Sequence, residues 1–209
     1  MLDRILRRRS PREVFEQIYD TDHWRGGSGA GSTVAATELY RDILTRLIAE
    51  LGIRSVVDVG CGDWQWAGLM DWSQVGYTGV DVVPSLIERN SAEHSSPHVQ
   101  FRCIDIARTP PPAADLVTAK DVLQHWPNRT IQRFLRDTLR RCRYALLTND
   151  LSSVHWPGDV NQDIAMGAWR TVDLARPPFA LRPLRTWDYD VGRGAWVKRV
   201  CLVAGSVRR

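Results

Sequence analysis

Residues 58 to 66 read DVGCGDWQW. The acid belongs to an apolar run, SVVDV (55–59), and Gly60, Cys61 and Gly62 follow it. Apolar strand, then glycine turn, is the layout of a nucleotide site at the carboxyl end of a first strand. Glycines there let the backbone turn tightly and come close to a ligand. A dinucleotide site wants G-x-G-x-x-G, which aims a helix N-terminus at a pyrophosphate. Here the sixth position is Gln65, and Asp63 stands inside the loop, where a carboxylate repels pyrophosphate. The stretch suits a ligand that presents an amino group and hydroxyls.

Outward from this loop the pattern alternates. Strand candidates are 55–59, YTGVDVV (77–83), VQFRCI (99–104), DLVTA (115–119) and YALLTN (144–149), with helix candidates near 65–71, 84–92 and 129–141. Short, nearly continuous apolar runs between helices predict an α/β, Rossmann-like, mostly parallel sheet with helices on both faces. In the tail, LRPLRTWDYD and AWVKRVCLVAG flank a VGRG turn with no room for a helix. They predict an antiparallel hairpin that completes seven strands. Upstream, residues 2–20 pattern as an amphipathic helix with Ile5, Leu6, Val14, Phe15 and Ile18 apolar. HWRGGSGAGS (23–32) reads either as a flexible linker or as a mobile lid. A further helix, capped by Ser32 or Thr33, is expected to run to Leu51 and stop at Gly52. One domain is expected overall, with helices and lid over 1–52 and the Rossmann-like unit over 53–209.

The 209 residues suit one such domain. No apolar run approaches the ~20 residues of a membrane span. The N-terminus, MLDRILRRRSPRE, is basic but lacks the apolar segment of a secretory leader, so a cytoplasmic protein is expected. Cys61, Cys103, Cys142 and Cys201 lie far apart without a CxxC pair, which argues against a zinc ribbon or a disulfide framework. The net charge is +4, yet among 28 basic residues only Lys120 and Lys198 are lysines. Such a skew reflects a GC-rich genome more than a nucleic-acid surface. Much of the excess sits at the ends, in Arg4 to Arg12 and Arg208–Arg209.

Two more acids follow the first. Asp81 ends the second strand candidate, 21 residues after Gly60, where a carboxylate accepts both ribose hydroxyls. Asp105 follows the third, in CIDIA, within reach of an adenine amino group. One such acid reads as a solvated strand end; three at the same edge mark a site.

VVDVGCGD, GVDVV, CIDIA and AKDVLQHW together resemble the first four motifs of class I S-adenosylmethionine-dependent methyltransferases, over roughly residues 53–205. A narrower resemblance reaches the flanks. Trp24, Gly31, Ser32 and Thr37, then Asn161, Asp163, Ile164, Gly167, Trp169, Arg170, Leu174, Pro177, Pro178 and Phe179, are similar to a pattern of small bacterial sugar O-methyltransferases. That group includes enzymes of methylated mannose polysaccharide synthesis in mycobacteria. The resemblance implies an S-adenosylmethionine site. Asp58, Gly60, Cys61, Gly62, Asp63 and Trp64 would serve its methionyl part, with Trp24, Ser32 and Thr37 from the flank. Asp81 and Val82 would take the ribose, and Asp105 and Ile106 the adenine. Lys120 and Asp121 would lie beside the methyl donor.

Methyl transfer to a sugar hydroxyl needs positioning, and a general base or a metal helps. In KDVLQHW, Asp121, Gln124 and His125 share one face at i, i+3, i+4. His125 can act as base with Asp121 polarising it. Alternatively, Asp121 and His125 bind Mg²⁺ with Asp150 or Asn161, as in some quinone-pathway methyltransferases, though Gln124 replaces an acid found there. A third option is that His125 packs on the cofactor and Asp121 caps a helix. His155, in TNDLSSVHW, is the rival base. Nine tryptophans are many for this length, and Trp24, Trp64, Trp66, Trp126, Trp156 and Trp169 fall near the expected site edge. Indole faces stack on sugars but also fill cores. The expected partner is a small-molecule or oligosaccharide acceptor, with a homodimer as an option. N-methylation of a small amine or a nucleic acid is the alternative. A nicotinamide oxidoreductase would need the third glycine and a further catalytic domain.

Overall fold

The computed structural model describes residues 9–156, 158–191 and 195–207. Seven strands form one sheet: β1 (Ser55–Val59), β2 (Gly76–Asp81), β3 (Val99–Cys103), β4 (Ala114–Lys120), β5 (Cys142–Ser153), β6 (Arg185–Val191) and β7 (Trp196–Ala204). Their order is β3-β2-β1-β4-β5-β7-β6. The first five are parallel, and β7 runs antiparallel between β5 and β6. This is the expected Rossmann-like sheet with its reversed C-terminal hairpin. Of the helix expected over 2–20, residues 2–8 lie outside the described residues, as do residues 192–194 of the expected VGRG turn.

The central strands are buried on both faces and alternate between two cores, whereas the edge strands β3 and β6 contribute to one core only. Val57, Val59, Val117, Ala119 and Leu147 face one core with Phe15, Ile131 and Phe134. Val56, Leu116, Leu146 and Leu202 face the other with Tyr40, Leu44 and Leu47. Period-two side chains on parallel strands require covering helices on both sides. These are α1 (Pro11–Asp20), α3 (Pro84–His94) and α4 (Asn128–Leu139) against α2 (Glu38–Glu50). Helix α1 is fixed at its start by a capping box: Ser10 Oγ accepts from Glu13 N–H, and Glu13 accepts from Ser10 N–H at 2.7 Å. Phe15 then plugs α1 into the same core as β1 and β4.

Two helix expectations are corrected. No α-helix follows the glycine loop; only a 3₁₀ turn forms, Ala67–Leu69. Trp64 sits at φ 61°, a left-handed conformation that cannot open a helix, and the chain folds back so that Trp72 Nε1 donates to the Ala67 carbonyl. Helix α2 begins at Glu38 rather than beside Ser32, because residues 30–37 are taken up by turns, in which Thr33 Oγ1 donates to the Ala30 carbonyl and accepts from Ala36 N–H. The missing helix matters for the site, since no helix N-terminus faces the loop to attract a phosphate.

Candidate active site

The carboxyl ends of β1, β2 and β4 meet at the glycine loop. Gly60 N–H and Cys61 N–H both donate to the Val80 carbonyl, at 2.8 and 3.1 Å. Gly62 N–H donates to Asp81 Oδ2 (3.1 Å), and Asn90 Nδ2 donates to the Gly62 carbonyl (2.8 Å). Gly60 has φ +70°, and a Cβ there would stand 2.5 Å from Val122 Cγ2. The glycine thus lets the loop pass against the turn that follows β4.

Two cavities adjoin across this loop, and Tyr19, Gly60, Val122 and His125 line both. The smaller, about 70 Å³, is walled by Asp81 and Val82 after β2, by Asp105 and Ile106 after β3, and by Phe15 of α1. Asp81 is buried, and burial raises its pKa against the pull of the Val83 and Gly62 amides. Asp105 has one oxygen, Oδ1, that is buried without a hydrogen-bond partner. An acceptor left bare in an otherwise apolar pocket calls for a donor from a ligand. Burial raises the Asp105 pKa too, opposed by Arg108.

The larger cavity, about 370 Å³, lies under the glycine-rich segment. Trp24, Trp169, Trp196 and His155 form aromatic walls, and Lys120, Asp121, Asp150 and Lys198 supply its charges. Lys198 Nζ donates to Asp121 Oδ1 and to Asp150 Oδ1, both at 2.7 Å. Lys120 Nζ donates to Asp121 Oδ2 (2.5 Å) and to the Gly31 carbonyl of the glycine-rich segment (2.7 Å). Trp169 Nε1 donates to Asp150 Oδ2 at 3.0 Å. Burial pushes the Asp121 carboxyl up, but the two ammoniums outweigh it and hold its pKa at about 2. Burial pulls Lys120 down, whereas the two carboxylates at Lys198 outweigh burial and raise it.

His125 stands between the cavities on a 3₁₀ turn, Leu123–His125. Its ring packs on Trp24, centroids 4.9 Å apart. Nδ1 lies 3.0 Å from the Ala168 carbonyl, which can only accept. The proton of the neutral ring is therefore on Nδ1, and Nε2 is left as a bare base. Burial lowers the His125 pKa to about 4. The turn is held by the segment between β5 and β6. Fully buried Arg170 donates to the carbonyls of Leu123, Trp126 and Gln162 and to Asn128 Oδ1. Gly167 N–H donates to the His125 carbonyl at 2.8 Å.

Of the residues expected at the cofactor, Gly60, Asp81, Val82, Asp105 and Ile106 line a cavity, as do Trp24, Ser32, Lys120 and Asp121. Others are structural. Asp58 lies buried beneath the loop, accepting from Tyr77 Oη (2.8 Å) and Thr118 Oγ1 (2.5 Å), and burial raises its pKa to about 6 against those bonds. Cys61 is buried under the loop, and Gly62 carries the Ser28 contact described next. Thr37 is buried and donates to the Thr33 carbonyl. Asp63 does not await a ligand amino group: it accepts from Ser28 Oγ (2.7 Å), Ser28 N–H (3.1 Å) and Gln65 Nε2 (2.7 Å). It ties residues 26–28 down on the loop, and a Cβ on Gly62 would strike Ser28 Oγ.

Trp64 and Trp66, expected near the site edge, line neither cavity. Trp64 packs with His94, Tyr77 and Phe101, and Trp66 is buried against Tyr40. Trp196, on β7, lines the cavity in their stead. The rival base His155 is exposed at the rim, its ring 4.9 Å from that of Trp196. The magnesium expectation fails on the donor set. Asp121 and Asp150 are bridged by an ammonium, and among the described residues no metal-holding group of three or more His, Cys, Asp or Glu occurs. Among the described residues no helix is long and apolar enough to cross a membrane.

Residues 56–144 match the family described as Methyltransferase domain. Curated protein sequences give no match. Solved structures share the fold. Magnesium protoporphyrin IX methyltransferase of Synechocystis PCC 6803, with bound SAH, superposes with a TM-score of 0.66 at 14% identity, over 94% of this chain and 100% of that one. The 1,6-didemethyltoxoflavin-N1-methyltransferase of Burkholderia thailandensis, with its substrate and S-adenosylhomocysteine, gives 0.66 at 18% identity over 94% and 87%. The N-methyltransferase NodS of Bradyrhizobium japonicum, with S-adenosylhomocysteine, gives 0.66 at 13% identity over 95% and 100%. Residues 56–144 are thus similar to a methyltransferase domain, and the chain shares the fold of these solved methyltransferases.

Proposed function

We propose that this methyltransferase takes its methyl group from S-adenosylmethionine and places it on a hydroxyl of a sugar or oligosaccharide. The observation that carries the cofactor reading is the small cavity. Asp81 stands there at the end of β2, the unpartnered Asp105 Oδ1 suits an adenine amino donor, and Val82 and Ile106 offer apolar faces. Lys120 and Asp121, next along the loop, would face the amino acid end of the cofactor. When bound, the cofactor supplies a methyl group on a sulfonium, already activated for displacement.

The protein's own part is orientation and proton removal. Trp24, Trp169 and Trp196 give the acceptor indole faces, which suit the C–H face of a sugar ring. With that methyl group supplied to the acceptor oxygen, His125 Nε2 would take the hydroxyl proton. An alkylated hydroxyl is strongly acidic, so a ring with a pKa of about 4 suffices as its acceptor. Closure of residues 23–32 over the larger cavity excludes water there.

The test is transfer from labelled S-adenosylmethionine to a panel of mannose oligosaccharides and small amines. Label on a sugar hydroxyl supports the proposal, and label on amines alone replaces it with N-methylation. Nucleic acid is not the acceptor this site favours, because both lysines are buried within an ion network rather than presented to a polyanion.

A further inference from the structure

We infer that Lys198 is the built-in cation of the acceptor chamber: its ammonium holds, between Asp121 and Asp150, the position that a divalent ion would otherwise take. Three strands place it. Lys198 on β7 lies directly opposite Asp150 on β5, and Asp121 follows the end of β4, which pairs with β5. The ammonium is 2.7 Å from an oxygen of each carboxylate. The remaining oxygens are also taken, Asp121 Oδ2 by Lys120 and Asp150 Oδ2 by the Trp169 indole. Two carboxylates and two ammoniums leave the cluster neutral, with each carboxylate oxygen satisfied.

Composition points to the same residue. A chain that uses arginine almost everywhere keeps only two lysines, and both stand in this cluster. A compact ammonium with three tetrahedral donors reaches carboxylates on separate strands, which a planar guanidinium fork cannot do in the same space. Asp121 also has φ 59°, an uncommon conformation for a residue with a side chain, and the two lysines hold it there. Through Asp121, Lys198 fixes Lys120, whose Nζ holds the Gly31 carbonyl of the lid. Lys198 is thus a positioning residue that joins the lid to the acceptor wall. Shortening it leaves two facing carboxylates and a gap of ammonium size, the donor set of a hydrated Mg²⁺ or Mn²⁺.

The experiment is a Mn²⁺ titration of the full chain followed by electron paramagnetic resonance, in wild type, Lys198→Ala and Lys198→Ala/Asp150→Asn. Wild type should bind no Mn²⁺ up to ~1 mM, Lys198→Ala should bind one ion, and the double variant should bind it at least ~10-fold more weakly. Lys198→Met, which keeps the apolar stem but ends one atom short of the ammonium position, covers the case in which the alanine variant does not fold. Its melting temperature should fall below wild type and recover with Mg²⁺. Binding by wild type at Asp150, no binding by Lys198→Ala with no Mg²⁺ recovery of Lys198→Met, or binding indifferent to Asp150→Asn would each overturn the inference. The inference rests on the proposed methyl-transfer site, but its test does not. Absence of methyl transfer with the Mn²⁺ pattern intact would remove only the functional proposal. Methyl transfer by wild type without that pattern would remove only the inference.

Discussion

At the residue scale, His125 is the proposed proton acceptor, and its environment sets the pH behaviour expected of it. An exposed histidine gains its proton near pH 6.5, whereas burial holds His125 neutral down to about pH 4. The account therefore expects turnover that shows no inflection near pH 6.5 and falls only as pH approaches 4, checked by a pH–rate profile. The linkage to stability has a definite sign. Between 6.5 and 4 the unfolded chain binds a proton that folded His125 refuses, so its contribution is full above pH 6.5 and is lost as pH falls. Asp58 works the other way: its folded pKa of about 6 lies above the unfolded value of 3.8, so its destabilising share at neutral pH fades below 6. His125→Ala should lower turnover by ~100-fold or more while leaving cofactor affinity nearly unchanged, a split that steady-state kinetics and calorimetry resolve. A drop in affinity equal to the drop in turnover would make His125 a packing residue instead.

At the scale of elements, the segment between β5 and β6 is what presents that histidine. The late motif around Asn161 and Arg170 was legible in the sequence only as a pattern. Its meaning needs three dimensions: Asp163 accepts from Asn128 N–H at the start of α4, and Arg170 gathers carbonyls from both sides of the 3₁₀ turn. Arg170→Met should cost about 3 kcal/mol by leaving buried carbonyls unpaired, which lowers the melting temperature by ~10 °C in a chain of this size. Calorimetry of the variant checks this. The glycine-rich segment, residues 23–32, depends on Ser28 in the same way. Ser28→Ala removes the hydroxyl that bonds Asp63 and Tyr19, and amide exchange over residues 23–32 should rise while that of β1 and β4 does not. Asp63 shows why spacing misled: an acid in a glycine loop signals a partner, but the sequence does not say whether that partner is a ligand or the protein's own lid.

Over the whole molecule, the alternation of apolar runs was enough for the seven-stranded sheet, because strands buried on both faces have little freedom in composition. That no α-helix follows β1 was not legible, since an apolar stretch rich in tryptophan patterns equally as helix or as packed turn until Trp64 and Trp72 find their core partners. Lys198 was missed because it lies in a β-strand with no motif; its rarity in an arginine-rich chain was the one available signal. The strand-end acids Asp81 and Asp105 both line the small cavity because the β-strand ends of a parallel sheet fall at one edge. The central claim is that this edge holds S-adenosylmethionine. Titration calorimetry of S-adenosylmethionine into wild type, Asp81→Ala and Asp81→Asn tests it most directly. The account predicts one molecule bound per chain in wild type, with affinity lost in Asp81→Ala and weakened in Asp81→Asn. No binding by a folded wild-type protein, or equal affinity in all three, would contradict it.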